Sequence, residues 1–110
     1  MKFQHQNLAA GKWKKLTLVE QLANVGSEIF RAISWQKKSR TDFSQRAFFR
    51  ALELLDLSLT QQKSYAKLKE LTRLRSILVD YFFGKNEFKS QAKDLEKYFY
   101  SFTWAANIKK

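Results

Sequence analysis

Hydrophobic residues recur along most of this chain at alternating spacings of three and four, with polar residues between them. Such a period places side chains on one face of an α-helix. The first stripe follows Thr17 to Glu20 (TLVE), a capping-box sequence whose Thr hydroxyl and Glu carboxylate can satisfy free amides of a first helical turn. We therefore predict a helix over about residues 18–37. Its stripe consists of Leu18, Leu22, Val25, Ile29 and Ala32.

Three further stripes predict three more helices, over about residues 42–59, 64–83 and 88–107. Asp42 with Gln45 repeats the helix-start signal, and Gly84 is the residue type that commonly closes a helix. The three stripes are, in chain order, Phe48, Leu52, Leu55 and Leu59; Leu68, Leu71, Leu74, Leu78 and Phe82; and Phe88, Ala92, Leu95, Phe99, Phe102 and Ala106.

Four helices of similar length joined by short connections bury their stripes most simply as an up-down-up-down antiparallel bundle. The composition favours long helices, because the chain has no Pro and only three Gly, while 45% of its residues are apolar. We expect an all-α four-helix bundle forming one domain over residues 1–110, with an N-terminal arm at 1–16.

Two residues are unusual within the predicted helices. Arg75 lies within the third stripe, so its guanidinium needs either a carboxylate partner or an exit to solvent. Glu28 is the preferred partner in a buried ion pair, Asp56 is second, and the alternative is that Arg75 extends outward along the bundle edge. Gly26 lies in mid-helix, where Gly costs about 1 kcal/mol relative to Ala. It indicates either close approach of another backbone or a tolerated surface position.

Residues that carry enzyme chemistry are scarce. The chain has no Cys, its single His is His5, and its acids show no metal-ligand spacing. We expect a non-enzymatic protein with no metal, no cofactor and no small-molecule substrate. The polar start and the lack of an apolar run of about 18 residues predict a cytoplasmic protein and argue against a membrane partner.

Charge is the strongest indication of function. Lys and Arg total 21 against 10 acids, a net charge of +11. This excess favours RNA or another polyanion as partner, although a charged surface that only keeps the protein in solution is the alternative. Trp13 either stacks on a base or docks the arm on the core. The predicted nucleic-acid-binding residues are Lys12, Trp13, Lys14, Lys15, Lys63, Lys67, Lys69 and Arg73.

The last predicted helix carries more aromatic surface than one stripe can bury. Tyr98, Tyr100 and Trp104 should lie at the core margin or outside it. Surface aromatics often mark protein interfaces, so together with Trp35 they predict self-association as a homo-oligomer.

The whole-chain pattern resembles two groups of small basic four-helix bundles, the rRNA intervening-sequence proteins and the accessory variability determinants of diversity-generating retroelements. The likeness lies in length, helix order and charge, and in stretches such as QLANVGSEIFRAISW (21–35), RALELLDL (50–57) and YFYSF (98–102). The resemblance implies a homo-oligomeric, pentameric barrel with a basic surface that binds RNA and assists a reverse transcriptase.

Three hypotheses follow from the sequence. The first is a nucleic-acid-binding accessory bundle, with RNA preferred because no helix-turn-helix pattern stands out. The second is a protein-interaction adaptor that uses the aromatic surface. The third is a basic amphipathic helix lying on an anionic membrane.

Overall fold

The first three helices start and end within one residue of the predicted bounds, although the predicted Asp42 cap does not form, because the second helix begins at Thr41 after Arg40, whose side chain makes no cap hydrogen bond. The computed structural model describes residues 11–108. It contains a short 3-10 turn, Trp13–Lys15, and four helices: α1, Leu18–Lys37; α2, Thr41–Thr60; α3, Tyr65–Phe82; and α4, Ala92–Ile108. At the start of α1 the capping box is complete. The Thr17 hydroxyl accepts from the Glu20 amide at 3.1 Å, and the Glu20 carboxylate accepts from the Thr17 amide at 2.9 Å.

Contacts between the helices confirm the all-α, up-down-up-down antiparallel bundle. The Ser44 hydroxyl on α2 donates to the Ala32 carbonyl near the end of α1, while Gln21 near the start of α1 reaches Gln61 beyond the end of α2. The α1 helix packs closely on α2 and α4, and α3 packs on α2. No helix in the described part of the chain is long and apolar enough to cross a membrane.

The core is built from the predicted stripes. Its largest buried side chains include Phe48 on α2 and Phe99 on α4, and Phe48 stacks on Phe82 of α3 with ring centroids 4.5 Å apart. Leu68 is an exception, because 39% of its surface is exposed. The third stripe therefore enters the core only at Leu71, one turn later than the sequence predicts.

Gly26 confirms a close approach between two helices. It is buried on α1, and a Cβ placed there would lie 2.8 Å from the Phe99 Cβ of α4. This distance is shorter than a normal carbon-carbon contact of about 3.5–4.0 Å. Gly26 therefore lets α1 and α4 pack at a separation that a larger residue would not allow.

The predicted start of the fourth helix at residue 88 is wrong, since α4 begins at Ala92. The two Asp80 carboxylate oxygens accept from the amides of Glu87 and Phe88, at 2.8 and 3.0 Å. Asn86 and Lys89 have positive φ angles of 53° and 54°, which a helix does not allow. This turn holds Phe88 outside the helix, where it is exposed rather than buried in the seam.

Candidate nucleic-acid interface

Trp13 attaches the amino-terminal turn to the core. Its side chain is fully buried, and its indole Nε1 donates to the Ser58 hydroxyl of α2 at 3.1 Å. The proposed stacking of Trp13 on a base is therefore wrong for this structure, because neither ring face is accessible. The exposed neighbours Lys12, Lys14 and Lys15 are carried on a turn that the buried indole anchors.

Gln21 brings this turn next to the α2–α3 connection. Its side-chain Nε2 donates to the Trp13 carbonyl at 2.9 Å and to the Gln61 Oε1 at 3.0 Å. Since Gln61 follows α2 directly, the amino-terminal turn and the start of α3 lie at the same end of the bundle. The two basic groups predicted from the sequence thus share one end, although about 50 residues separate them along the chain.

The first part of α3 projects beyond the core. Residues 63–70 are all exposed, and burial begins only at Leu71. The Ser64 hydroxyl nevertheless caps the helix by accepting from the Lys67 amide at 3.4 Å. Every side chain of this segment is exposed, and from Tyr65 onward the backbone is helical rather than a loop.

Lys63, Lys67, Lys69 and Arg73 are carried by this segment and the turn after it. Together with Lys12, Lys14 and Lys15 they form a surface that we call the basic end. Residues 11–20 and 61–73 contain seven cations and two acids, an excess of five positive charges. Within residues 11–108, no carboxylate forms an ion pair with any of these seven cations.

The opposite end of the bundle is more nearly balanced. Residues 37–46 and 85–96 also contain seven cations, but they contain four acids. Two ion pairs form there, Lys37 with Glu96 at 3.6 Å and Arg40 with Asp42 at 3.8 Å. The number of cations does not distinguish the two ends, whereas the number of acids does.

One side of α3 carries an aromatic ring among the cations. Tyr65, Lys69 and Arg73 are spaced by four residues, so they lie above one another over about 12 Å of helix. Tyr65 is 78% exposed. Sequence reasoning missed it, although the signal was present: Tyr65 lies on the far side of α3 from the Leu71, Leu74 and Leu78 positions.

A groove of about 320 Å³ separates α3 from α4. Its apolar wall includes Leu74, Ile77 and Leu95, and its rim includes Glu70 and Tyr98. Burial, with a smaller contribution from the Glu70 carboxylate, raises the pKa of the Tyr98 hydroxyl. Tyr98, predicted as an interface residue, is a half-buried side chain of this groove.

The predicted buried ion pair between Glu28 and Arg75 is wrong. The Arg75 Nε donates to the Asp56 Oδ1 at 2.8 Å, and this hydrogen bond raises the Arg75 pKa. Glu28 is buried as expected, but its carboxylate accepts from Arg50 at 2.8 Å and from Arg31. The partners differ from the prediction because Glu28 on α1 and Arg75 on α3 both pack against α2, which supplies Arg50 to one and Asp56 to the other. The Arg50–Glu28 and Arg75–Asp56 pairs each join two neighbouring helices, so their role is structural.

The predicted interface aromatics do not form one surface. Tyr100 and Trp104 are 65% and 62% exposed, and they continue to Ile108 as an apolar stripe on the outer face of α4. Trp35 lies at the opposite end of the bundle. Its ring centroid is 4.8 Å from that of Phe43.

The chain was compared with protein-family models, curated proteins and solved structures, and it shows no significant match to any of them.

Proposed function

We propose that this protein is a non-catalytic nucleic-acid-binding bundle that uses its basic end to bind RNA. The observation that carries the proposal is the seven exposed cations at one end, with no ion-pair partner among residues 11–108. Cations without carboxylate partners are free to bind phosphates, and each contact releases counterions from the nucleic acid. Their arrangement on a helix and an anchored turn also limits the entropy lost on binding.

The finer parts of the proposal rest on the sequence. RNA is preferred over DNA because no recognition-helix pattern is present. The resemblance to retroelement accessory proteins supports a reverse transcriptase as partner. A reverse transcriptase gene beside the gene for this protein would support that assignment, and its absence would favour a different RNA partner.

Charge reversal tests the basic end. The triple variant Lys67→Glu, Lys69→Glu, Arg73→Glu should weaken binding to a fluorescein-labelled single-stranded RNA in an anisotropy titration. Each lost contact removes about 0.7 from the slope of log affinity against log salt, so the slope should flatten by about 2. All three positions are exposed, so helicity measured by circular dichroism should not change.

A matched control separates local contact from overall charge. Lys85→Glu, Lys89→Glu, Lys93→Glu makes the same change in net charge at the opposite end, also at exposed positions. It should reduce affinity less and leave the slope nearly unchanged. Equal losses from the two triple variants would contradict the assignment to the basic end. Absence of RNA binding by the wild type at low salt would overturn the proposed function.

A second candidate function is a homo-oligomeric scaffold or protein-interaction adaptor. It is favoured by the exposed stripe Tyr100, Trp104 and Ile108, because solvent-exposed aromatics spaced along one helix suit a helix-helix interface. Light scattering coupled to size exclusion should then give a mass above 13.1 kDa for the wild type, reduced by Trp104→Ala. The resemblance predicts a pentamer, and a wild-type monomer would contradict this candidate.

A further inference from the structure

Tyr65 is the most exposed of the large hydrophobic side chains in the described part of the chain, at 78%. It is the first residue of α3, directly after the Ser64 cap, so a helix rather than a loop carries its ring. Among residues 11–108, Tyr65 makes no aromatic contact and its hydroxyl has no hydrogen-bond partner. The ring therefore makes no aromatic or hydrogen-bonding contribution to the fold, and most of its surface is open to a ligand.

Cations lie on either side of Tyr65 along the chain. Lys63 precedes it by two residues, while Lys69 and Arg73 follow it on the same side of α3, about 6 and 12 Å further along the axis. No acid lies at the positions that continue this side, 69, 73 and 76, although both Glu70 and Arg73 line the groove with α4. An open aromatic face beside a line of cations is the combination that binds single-stranded nucleic acid, because a base stacks on the ring while the cations bind the phosphates.

We infer that Tyr65 is a stacking platform for an unpaired base, and that Lys69 and Arg73 bind phosphates of the same strand. The basic end therefore selects single-stranded RNA over duplex RNA, since bases within a duplex already stack on each other. This inference rests on the proposed function and specifies which form of RNA the basic end recognises.

Anisotropy titrations with a single-stranded RNA and with a duplex carrying the same number of phosphates test the inference. Stacking on one aromatic residue contributes about 1–3 kcal/mol, which corresponds to roughly 5- to 150-fold in affinity. Tyr65→Ala should weaken single-strand binding within this range and change duplex binding little. Tyr65→Phe keeps the ring and should stay within about twofold of the wild type.

Three controls make the result specific. Phe88→Ala removes an exposed aromatic side chain at the opposite end of the bundle, and it should not change RNA affinity. The salt slope of Tyr65→Ala should equal that of the wild type because tyrosine carries no charge, in contrast to the flattened slope of the Lys67, Lys69 and Arg73 variant. Circular dichroism should show an unchanged fold, as expected for an exposed position.

The outcomes separate this inference from the proposed function. If Tyr65→Ala keeps full single-strand affinity while the charge-reversal variant loses it, the stacking role is wrong and the basic end still binds RNA. Equal losses on single-stranded and duplex RNA would show that Tyr65 does not read an unpaired base. If neither RNA binds the wild type at low salt, both proposals fail, and an acidic protein would replace RNA as the partner.

Discussion

Replacement of Gly26 by Ala tests the close packing of α1 on α4. At an exposed helical position this substitution would stabilise the protein by about 1 kcal/mol, because Ala has the higher helix propensity. At Gly26 the added Cβ would lie 2.8 Å from the Phe99 Cβ and 3.2 Å from its Cγ and Cδ1. The sign of the effect depends on which term is larger.

The steric term should be the larger one. Overpacking a close-packed core costs about 1–3 kcal/mol. The nearest atom is the Phe99 Cβ, which is bonded to the backbone, so no rotation of the Phe99 side chain can move it away. Relief requires α1 and α4 to separate, which places the cost at about 2–3 kcal/mol. After subtraction of the helix-propensity gain, Gly26→Ala should destabilise the fold by about 1–2 kcal/mol.

Urea unfolding followed by circular dichroism measures this free energy, and thermal unfolding should show a midpoint lowered by roughly 5–15 °C. The neighbouring exposed residue Ser27 provides the matched control, because Ser27→Ala should be more stable than Ser27→Gly by about 1 kcal/mol. The preference for Gly or Ala should thus reverse between adjacent positions. A Gly26→Ala variant as stable as the wild type would refute the close approach of the two helices.

Two further predictions concern the core. Phe99→Ala should lower the free energy of unfolding by about 3–5 kcal/mol. Phe88→Ala should change it by no more than about 0.5 kcal/mol, because Phe88 is exposed although the sequence assigned it to the same seam. Equal effects of the two variants in urea unfolding would place Phe88 in the core. Trp13→Ala should lower the free energy of unfolding by about 3–5 kcal/mol, whereas Lys14→Ala should lower it by about 0.5 kcal/mol or less, because the indole is buried and the Lys14 side chain is exposed. A Trp13 variant with an unchanged midpoint would mean that the turn is not docked.

Most of the fold could be predicted because its signals are local. Helix period and capping are properties of residues three and four apart, so the bounds of α1 agree with the prediction, and those of α2 and α3 differ by one residue at each end. The start of α4 was missed for a specific reason. Phe88 fits the period, but the Asp80 carboxylate binds the amides of residues 87 and 88 and holds them in a turn.

The candidate site depends more on tertiary structure. The sequence alone determined that the chain carries an excess of positive charge, which residues supply it, and that it contains one His and no Cys. Only the packing of the helices decided that Trp13 is buried, that Tyr65 is exposed and that Arg75 binds Asp56 rather than Glu28. The physical reason is that burial and ion pairing are set by which residues of another helix lie opposite, and these residues are distant along the chain.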